Sequence, residues 1–112
     1  MAILQIGAAA ANPSVLMMGG SSYISVEFRT QAGVLTDPGT SFSIQIINVD
    51  GSIKTAYTTL TKDVVGRYYY VLTSTTAYSP GVYNVWIKCV DGGNTSGPVL
   101  FPNLFEITGG VV

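Results

Sequence analysis

Catalysis and metal binding draw on a small set of side chains, and this 112-residue sequence holds few of them. Histidine, the commonest general base and metal ligand, is absent. The six carboxylates, Glu27, Asp37, Asp50, Asp63, Asp91 and Glu106, are scattered along the chain. Asp37, Asp50 and Asp91 fall in turn signals, where a short acidic side chain bonds its local backbone. Asp91 and Asn94 put two oxygen donors on one loop, too few for a calcium site. Cys89 is the single cysteine and lies in an apolar run without cationic neighbours, so it reads as a buried, inert thiol and not a nucleophile. No glycine-rich loop opens a helix, which leaves no phosphate cradle. No enzymatic activity, no cofactor and no metal site is expected.

The residue types that do concentrate are aromatic. Gly66 to Ile87 contains five tyrosines and the only tryptophan. Rings at this density make either a recognition surface or a core, and the elements that carry them decide which. Charge is sparse: five Lys/Arg against six Asp/Glu, 10% of the chain, with a formal net charge of -1. The basic residues are spread singly, which argues against a nucleic-acid partner, because phosphate-backbone binding needs clustered cations. Ser and Thr outnumber charged residues 22 to 11. A surface of that kind has little self-repulsion and suits a protein packed against others.

Nothing in the chain has a helical period. Gly, Pro, Ser and Asn recur about every ten residues and β-branched or aromatic residues fill the gaps, the pattern of an all-β sandwich. Residues 1–21 stand apart as an uncharged, apolar N-terminal arm or first strand, with short strands expected near Ile3–Ile6 and Val15–Met18. Residues 22–108 form the sandwich, and 109–112 a flexible tail. Ile24, Val26 and Phe28 alternate with polar residues, as do Phe42, Ile44 and Ile46. Asp50-Gly51 is a strong hairpin signal, turning Ser52–Leu60 back with Ile53, Thr55 and Tyr57 on one face. Val64–Thr73 reads as one strand, with Tyr68, Tyr70 and Leu72 sharing a face. Val82–Val90 sets Tyr83, Val85, Ile87 and Cys89 against Asn84, Trp86 and Lys88. Asp91–Pro98 reads as a mobile loop, and Pro102 marks an edge or bulge in a last strand, Val99–Thr108. About seven strands result. In this register the paired tyrosines are core, Tyr69 and Trp86 point outward, and Tyr78 is free in a turn.

Two stretches carry a family resemblance. "GVLTDPGTSFSIQIINVDGSI" resembles the opening of small immunoglobulin-like domains of tailed-phage structural proteins, with an Asp-Pro turn before a strand that ends in an Asp-Gly hairpin. "VVGRYYYVLTSTTAYSPGVYNVWIKCVDGGN" is similar to their second half, where Gly-x-Tyr opens one strand and Pro-Gly-x-Tyr-x-Val the next. The likeness spans about Tyr23 to Ile107, and it leaves out the apolar arm. It implies an immunoglobulin-like sandwich and a capsid decoration or cement role, with the major capsid protein or other virion subunits as partners.

Met1–Ser22 has no Lys or Arg for the n-region of a signal peptide, and no apolar run is long enough for a membrane-spanning helix. A virion part assembled in the host cytoplasm is therefore expected, without membrane or nucleic acid as partner. The arm residues Ile3, Leu4, Ile6, Val15, Leu16, Met17 and Met18, together with Tyr69 and Trp86, are the expected partner contacts. Two other roles fit the same pattern. One is a carbohydrate- or cell-surface-binding module using Trp86, Tyr69 and Tyr78; the other is a homo-oligomeric ring in a tail or neck.

Overall fold

The computed structural model describes residues 3–75 and 78–109, and among these there are nine strands and no helix. The strands are β1 (Gln5–Asn12), β2 (Val15–Met17), β3 (Ser21–Arg29), β4 (Ser41–Ile47), β5 (Ile53–Thr59), β6 (Thr61–Val64), β7 (Arg67–Thr73), β8 (Gly81–Asp91) and β9 (Asn94–Thr108). They form a four-stranded sheet in the order β1-β3-β7-β6 and a five-stranded sheet in the order β2-β9-β8-β4-β5. All pairs are antiparallel except β2 with β9. Alternation places Ile24, Val26 and Phe28 of one sheet against Ile44, Ile46, Tyr83, Val85, Ile87 and Cys89 of the other, all fully buried.

The expected count was lower because two turns hid in the sequence. Val64–Thr73 is not one strand: Val65 and Gly66 reverse the chain between β6 and β7. Gly66 has φ 74°, and a Cβ there would lie 2.7 Å from Leu35 Cβ and Thr36 N, so both conformation and space require glycine. Asp91–Pro98 is not a mobile loop either. Asp91 pairs with Asn94 across Gly92 and Gly93, and β9 runs on through Gly97 and Pro98. Pro102 sits, as expected, where the ladder shifts: Tyr83 pairs with Phe105, but Val85 pairs with Phe101. In β5 the alternation fails. Two register shifts against β4 set Thr55 opposite inward Ile46 and Ile53 opposite its neighbour Ile47, so Ile53 and Thr55 do not share a face.

Residues 3–21 are built into both sheets. β1 pairs with β3 and β2 pairs with β9, on opposite sides of the core. Leu4 (3% exposed) and Leu16 (4%) are core residues, and Ile6, Ala9, Ala11 and Met18 pack against the core. Among the described residues the three buried polar ones, Ser22, Ser74 and Ser96, all fasten this segment. Ser22 Oγ donates to Pro13 O at 2.7 Å, Ser74 Oγ accepts from Gly19 N and donates to Gly20 O at 2.9 Å each, and Ser96 Oγ accepts from Leu4 N at 3.2 Å. The expectation that Leu4 and Leu16 meet a partner is thereby corrected: alternation turns them inward. The tail residues 110–112 lie outside the described residues.

Burying a leucine stabilises by roughly 1.5–3 kcal/mol, and truncating one also leaves a cavity. Leu16→Ala should therefore lower the free energy of unfolding in urea by about 2–5 kcal/mol. Deletion of residues 1–21 should yield a chain without a cooperative transition. A truncated chain that still unfolds cooperatively near the wild-type midpoint would show that this segment is dispensable to the core.

Candidate functional site

The ring-rich stretch divides between core and surface. Tyr83 stacks on Phe105 with centroids 5.1 Å apart, and its hydroxyl donates to Ser79 O at 2.6 Å at the end of the sandwich. Tyr68 packs edge-on against Phe28 at 5.3 Å and against Phe42 at 4.4 Å. Tyr70 packs partly against the same core. These tyrosines lie where alternation expects them. Tyr78 does not: it is only 9% exposed, tilted on Tyr83 at 5.8 Å, with Lys54 Nζ 4.3 Å from its ring centroid. It is a core residue and offers no free ring to a ligand.

Two outer faces remain. On the four-stranded sheet, Tyr69 stacks on Tyr23 with centroids 4.6 Å apart and planes 16° off parallel. Each ring thus spends one face on the other. Beside them Glu27 is clamped by two arginines, Arg29 Nη2 at 2.9 Å and Arg67 Nε at 2.8 Å. The Arg29 hydrogen bonds first, then that of Arg67, hold the Glu27 carboxyl below its ordinary range.

The five-stranded sheet presents a different surface. Its outward residues are Val15 and Met17 on β2, Leu100 and Glu106 on β9, Val82, Asn84, Trp86 and Lys88 on β8, Gln45 on β4, and Ile53 and Tyr57 on β5, while Ile47 of β4 is buried. The register aligns Leu100, Trp86 and Gln45 across three strands, and Val15, Glu106 and Val82 across another three. Lys88 Nζ lies 4.0 Å from the Tyr57 ring centroid, which keeps that cation folded onto the sheet. Val15 (53% exposed), Met17 (60%), Val82, Leu100 and Ile53 leave large apolar side chains in water. A shallow hollow of about 350 Å³ lined by Val15, Val82, Asn103, Leu104, Phe105 and Glu106 adjoins them. Lys88 and Glu106 are the charges that alternation sets on this face.

The expected contact residues therefore separate. Val15, Met17 and Trp86 come together on this one face. Leu4 and Leu16 are inside, Ile6 and Met18 are packed against the core, Ile3 is exposed ahead of β1, and Tyr69 is on the opposite sheet. Val82 and Leu100 were missed as members of the face. Val82 was legible, since it shares the alternation of Trp86. Leu100 was not, because the shift at Pro102 changes the register between it and Phe105.

The carboxylates are tied into the frame. Asp37 was expected to bond its own turn. Its Oδ2 instead accepts from Lys62 Nζ at 2.7 Å, and its Oδ1 from Gly66 N at 2.8 Å and Tyr68 OH at 3.1 Å, pinning the β3–β4 connection to the β6–β7 turn. Asp50 does bond locally, accepting from Ser52 N at 2.9 Å. Asp91 Oδ1 accepts from Gly39 N at 3.0 Å. Among the described residues no group of three or more His, Cys, Asp or Glu is placed to hold a metal ion. Burial pushes the Cys89 thiol up to about 11, which keeps it protonated and unreactive.

No protein-family model and no curated protein matches the chain. Among solved structures it is similar to the Lin-41 filamin domain, with a TM-score of 0.56 at 19% identity over 95% of this chain and 92% of that one. It is also similar to the alkylpurine DNA glycosylase AlkC of Pseudomonas fluorescens, solved bound to DNA containing an abasic site analog. That TM-score is 0.59 at 16% identity over 96% of this chain, which spans only 31% of the glycosylase chain. The fold is an immunoglobulin-like β-sandwich. At these identities the likeness extends to the fold alone.

Asp37 supplies a pH test of the frame. The Lys62 hydrogen bond, then the Gly66 N–H, hold its carboxyl below its ordinary 3.8 against the opposing effect of burial, and the Tyr68 hydroxyl adds to them. A carboxyl depressed on folding contributes stability in full above its ordinary value, and that contribution fades as pH falls through the folded one. Asp37→Asn should cost about 1 kcal/mol at neutral pH, the pair being partly exposed and screened. The melting-temperature gap between variant and wild type should close below pH 3.8. A gap that persists unchanged in acid would remove the charge of Asp37 from the account.

Proposed function

We propose that this protein is a non-enzymatic docking module of a virion, bound to major capsid protein or other virion subunits through the outer face of its five-stranded sheet. The observation that carries the reading is the set of large apolar side chains that this face leaves exposed. The four-stranded sheet exposes Tyr23 and Val71 beside the Glu27–Arg29–Arg67 cluster, while the five-stranded sheet exposes a larger set, Val15, Met17, Val82, Leu100 and Ile53, around Trp86. An exposed apolar area of this kind, rimmed by polar residues, is the usual mark of a protein-interaction site. Trp86 is the natural anchor, since a half-buried tryptophan adds large contact area at small entropic cost.

The virion part of the proposal rests on the sequence resemblance to phage structural domains. The physics of docking is independent of that part. Burial of apolar area contributes roughly 25 cal/mol per Å² before association costs are met, and a small module repeated over a lattice adds many modest contacts. A passive role of this kind needs no titrating residue, which accords with carboxylates that are engaged in holding turns.

Trp86→Ala combined with Leu100→Asp should leave the melting temperature within a few degrees of wild type. The same variant should lose co-sedimentation with shells assembled from the major capsid protein of the same virion, while Tyr69→Ala binds normally. Retained co-sedimentation of the Trp86/Leu100 variant would exclude this face. Wild-type protein that ignores the shells would overturn the capsid assignment.

A further inference from the structure

We propose that residues 3–12 form a releasable strap: latched at Leu4 and hinged at Pro13, they lift off β3 as one unit while the rest of the sandwich stays folded. The docking face above lies on the other sheet and plays no part in this. Residues 3–21 are held very unevenly along their length. From Pro13 onward the chain is anchored to both sheets. Pro13 O accepts from Ser22 Oγ of β3 at 2.7 Å, and Ser14 O accepts from Glu106 N of β9 at 2.8 Å. Leu16 then enters the core, 4% exposed, within the parallel ladder of β2 to β9.

The strand before that hinge is held far more weakly. None of the eight residues of β1 is fully buried, whereas β3 beside it buries four of nine. Ile6, Ala9 and Ala11 pack partly on the core, and the two alanines contribute only a methyl group each. Burial stabilises in proportion to the apolar area removed from water, so β1 adds little. Its ladder is also interrupted. Gly7 pairs with Glu27 but Ala10 is the next to pair, with Ser25, and Ala8 inside this bulge has φ 51°. That backbone region is disfavoured for any residue with a Cβ. Among the described residues β3 is the only ladder partner β1 has.

Leu4 is the latch. Within residues 3–12 it is the one fully buried side chain, at 3% exposure, and its N–H donates to buried Ser96 Oγ of β9 at 3.2 Å. Once Leu4 leaves its site, what remains is an edge ladder broken by a strained bulge, and the strap comes away up to the Pro13 anchor. Segments with few buried apolar contacts open at a lower free energy than the whole domain. Release frees one edge of β3, while β3 keeps its ladder to β7 and β2 keeps its ladder to β9. The fold thus has a closed state and a strap-released state.

Amide hydrogen exchange of the full chain, followed by NMR in urea concentrations below the unfolding transition, tests this. The β1 amides that bond to β3 should exchange through an opening with little urea dependence, ahead of the β8 amides, which wait for global unfolding. Leu4→Ala should speed strap exchange by at least about thirtyfold while β8 keeps a cooperative transition. Ala8 is exposed, so Ala8→Gly loses no buried contact; by relieving the strained φ it should slow strap exchange by about threefold or more. Ile46→Val, in the core on β4, should speed β8 exchange and leave the strap within about twofold of wild type. Strap amides that share the rate and urea dependence of β8 overturn the proposal. So does an Ile46→Val variant that speeds both alike, an Ala8→Gly variant that fails to slow the strap, or a Leu4→Ala chain that unfolds throughout.

Discussion

The sandwich depends on one segment that belongs to both of its sheets. Residues 3–21 supply an edge strand to the four-stranded sheet and another to the five-stranded sheet, and the chain between them spans the gap. Such a crossing brings backbone polar groups close to an apolar core, where an unpaired group costs free energy. Ser22 meets that requirement at Pro13, and Ser96 and Ser74 fasten the two ends of the segment, at Leu4 and at Gly19 and Gly20. Among the described residues no buried side-chain N or O is left without a partner. An uncharged, greasy N-terminus is thereby turned from an adhesive tail into a closure.

A second lock acts at the opposite side of the four-stranded sheet. Asp37 gathers Lys62, Gly66 and Tyr68, which come from β6, β7 and the turn between them. It holds the long β3–β4 connection over a glycine that has no room for a side chain. The same bond satisfies the hydroxyl of a buried tyrosine, whose pKa burial and the carboxylate together push up to about 12. One carboxylate thus serves a loop, a turn and a core ring at once. With the frame tied at both places, the sheet faces are free to differ: the four-stranded sheet carries the ion cluster beside Tyr23, Tyr69 and Val71, and the five-stranded sheet carries exposed Val15, Met17, Val82, Leu100 and Ile53.

The immunoglobulin-like sandwich, the inward faces of β3, β4, β7 and β8, the hairpin at Asp50-Gly51 and the break at Pro102 were all legible in the sequence. Each follows from a period of two or from the backbone limits of Gly and Pro. The outward position of Trp86 followed from the same alternation.

What the sequence could not show is what lies beside what. Alternation says that Leu16 and Val15 face opposite ways, but which one faces the core depends on the sheet that β2 joins. Only β9, running parallel to it, decides that. The partner of Asp37 is 29 residues away at Gly66, beyond any local turn rule. Tyr78 looked free because its covering groups come from β5 and β8. Local sequence therefore determined which strands exist and which residues alternate. Tertiary structure decided the register, the closure and the shared face, because those arise from contacts between segments that no short window of sequence contains.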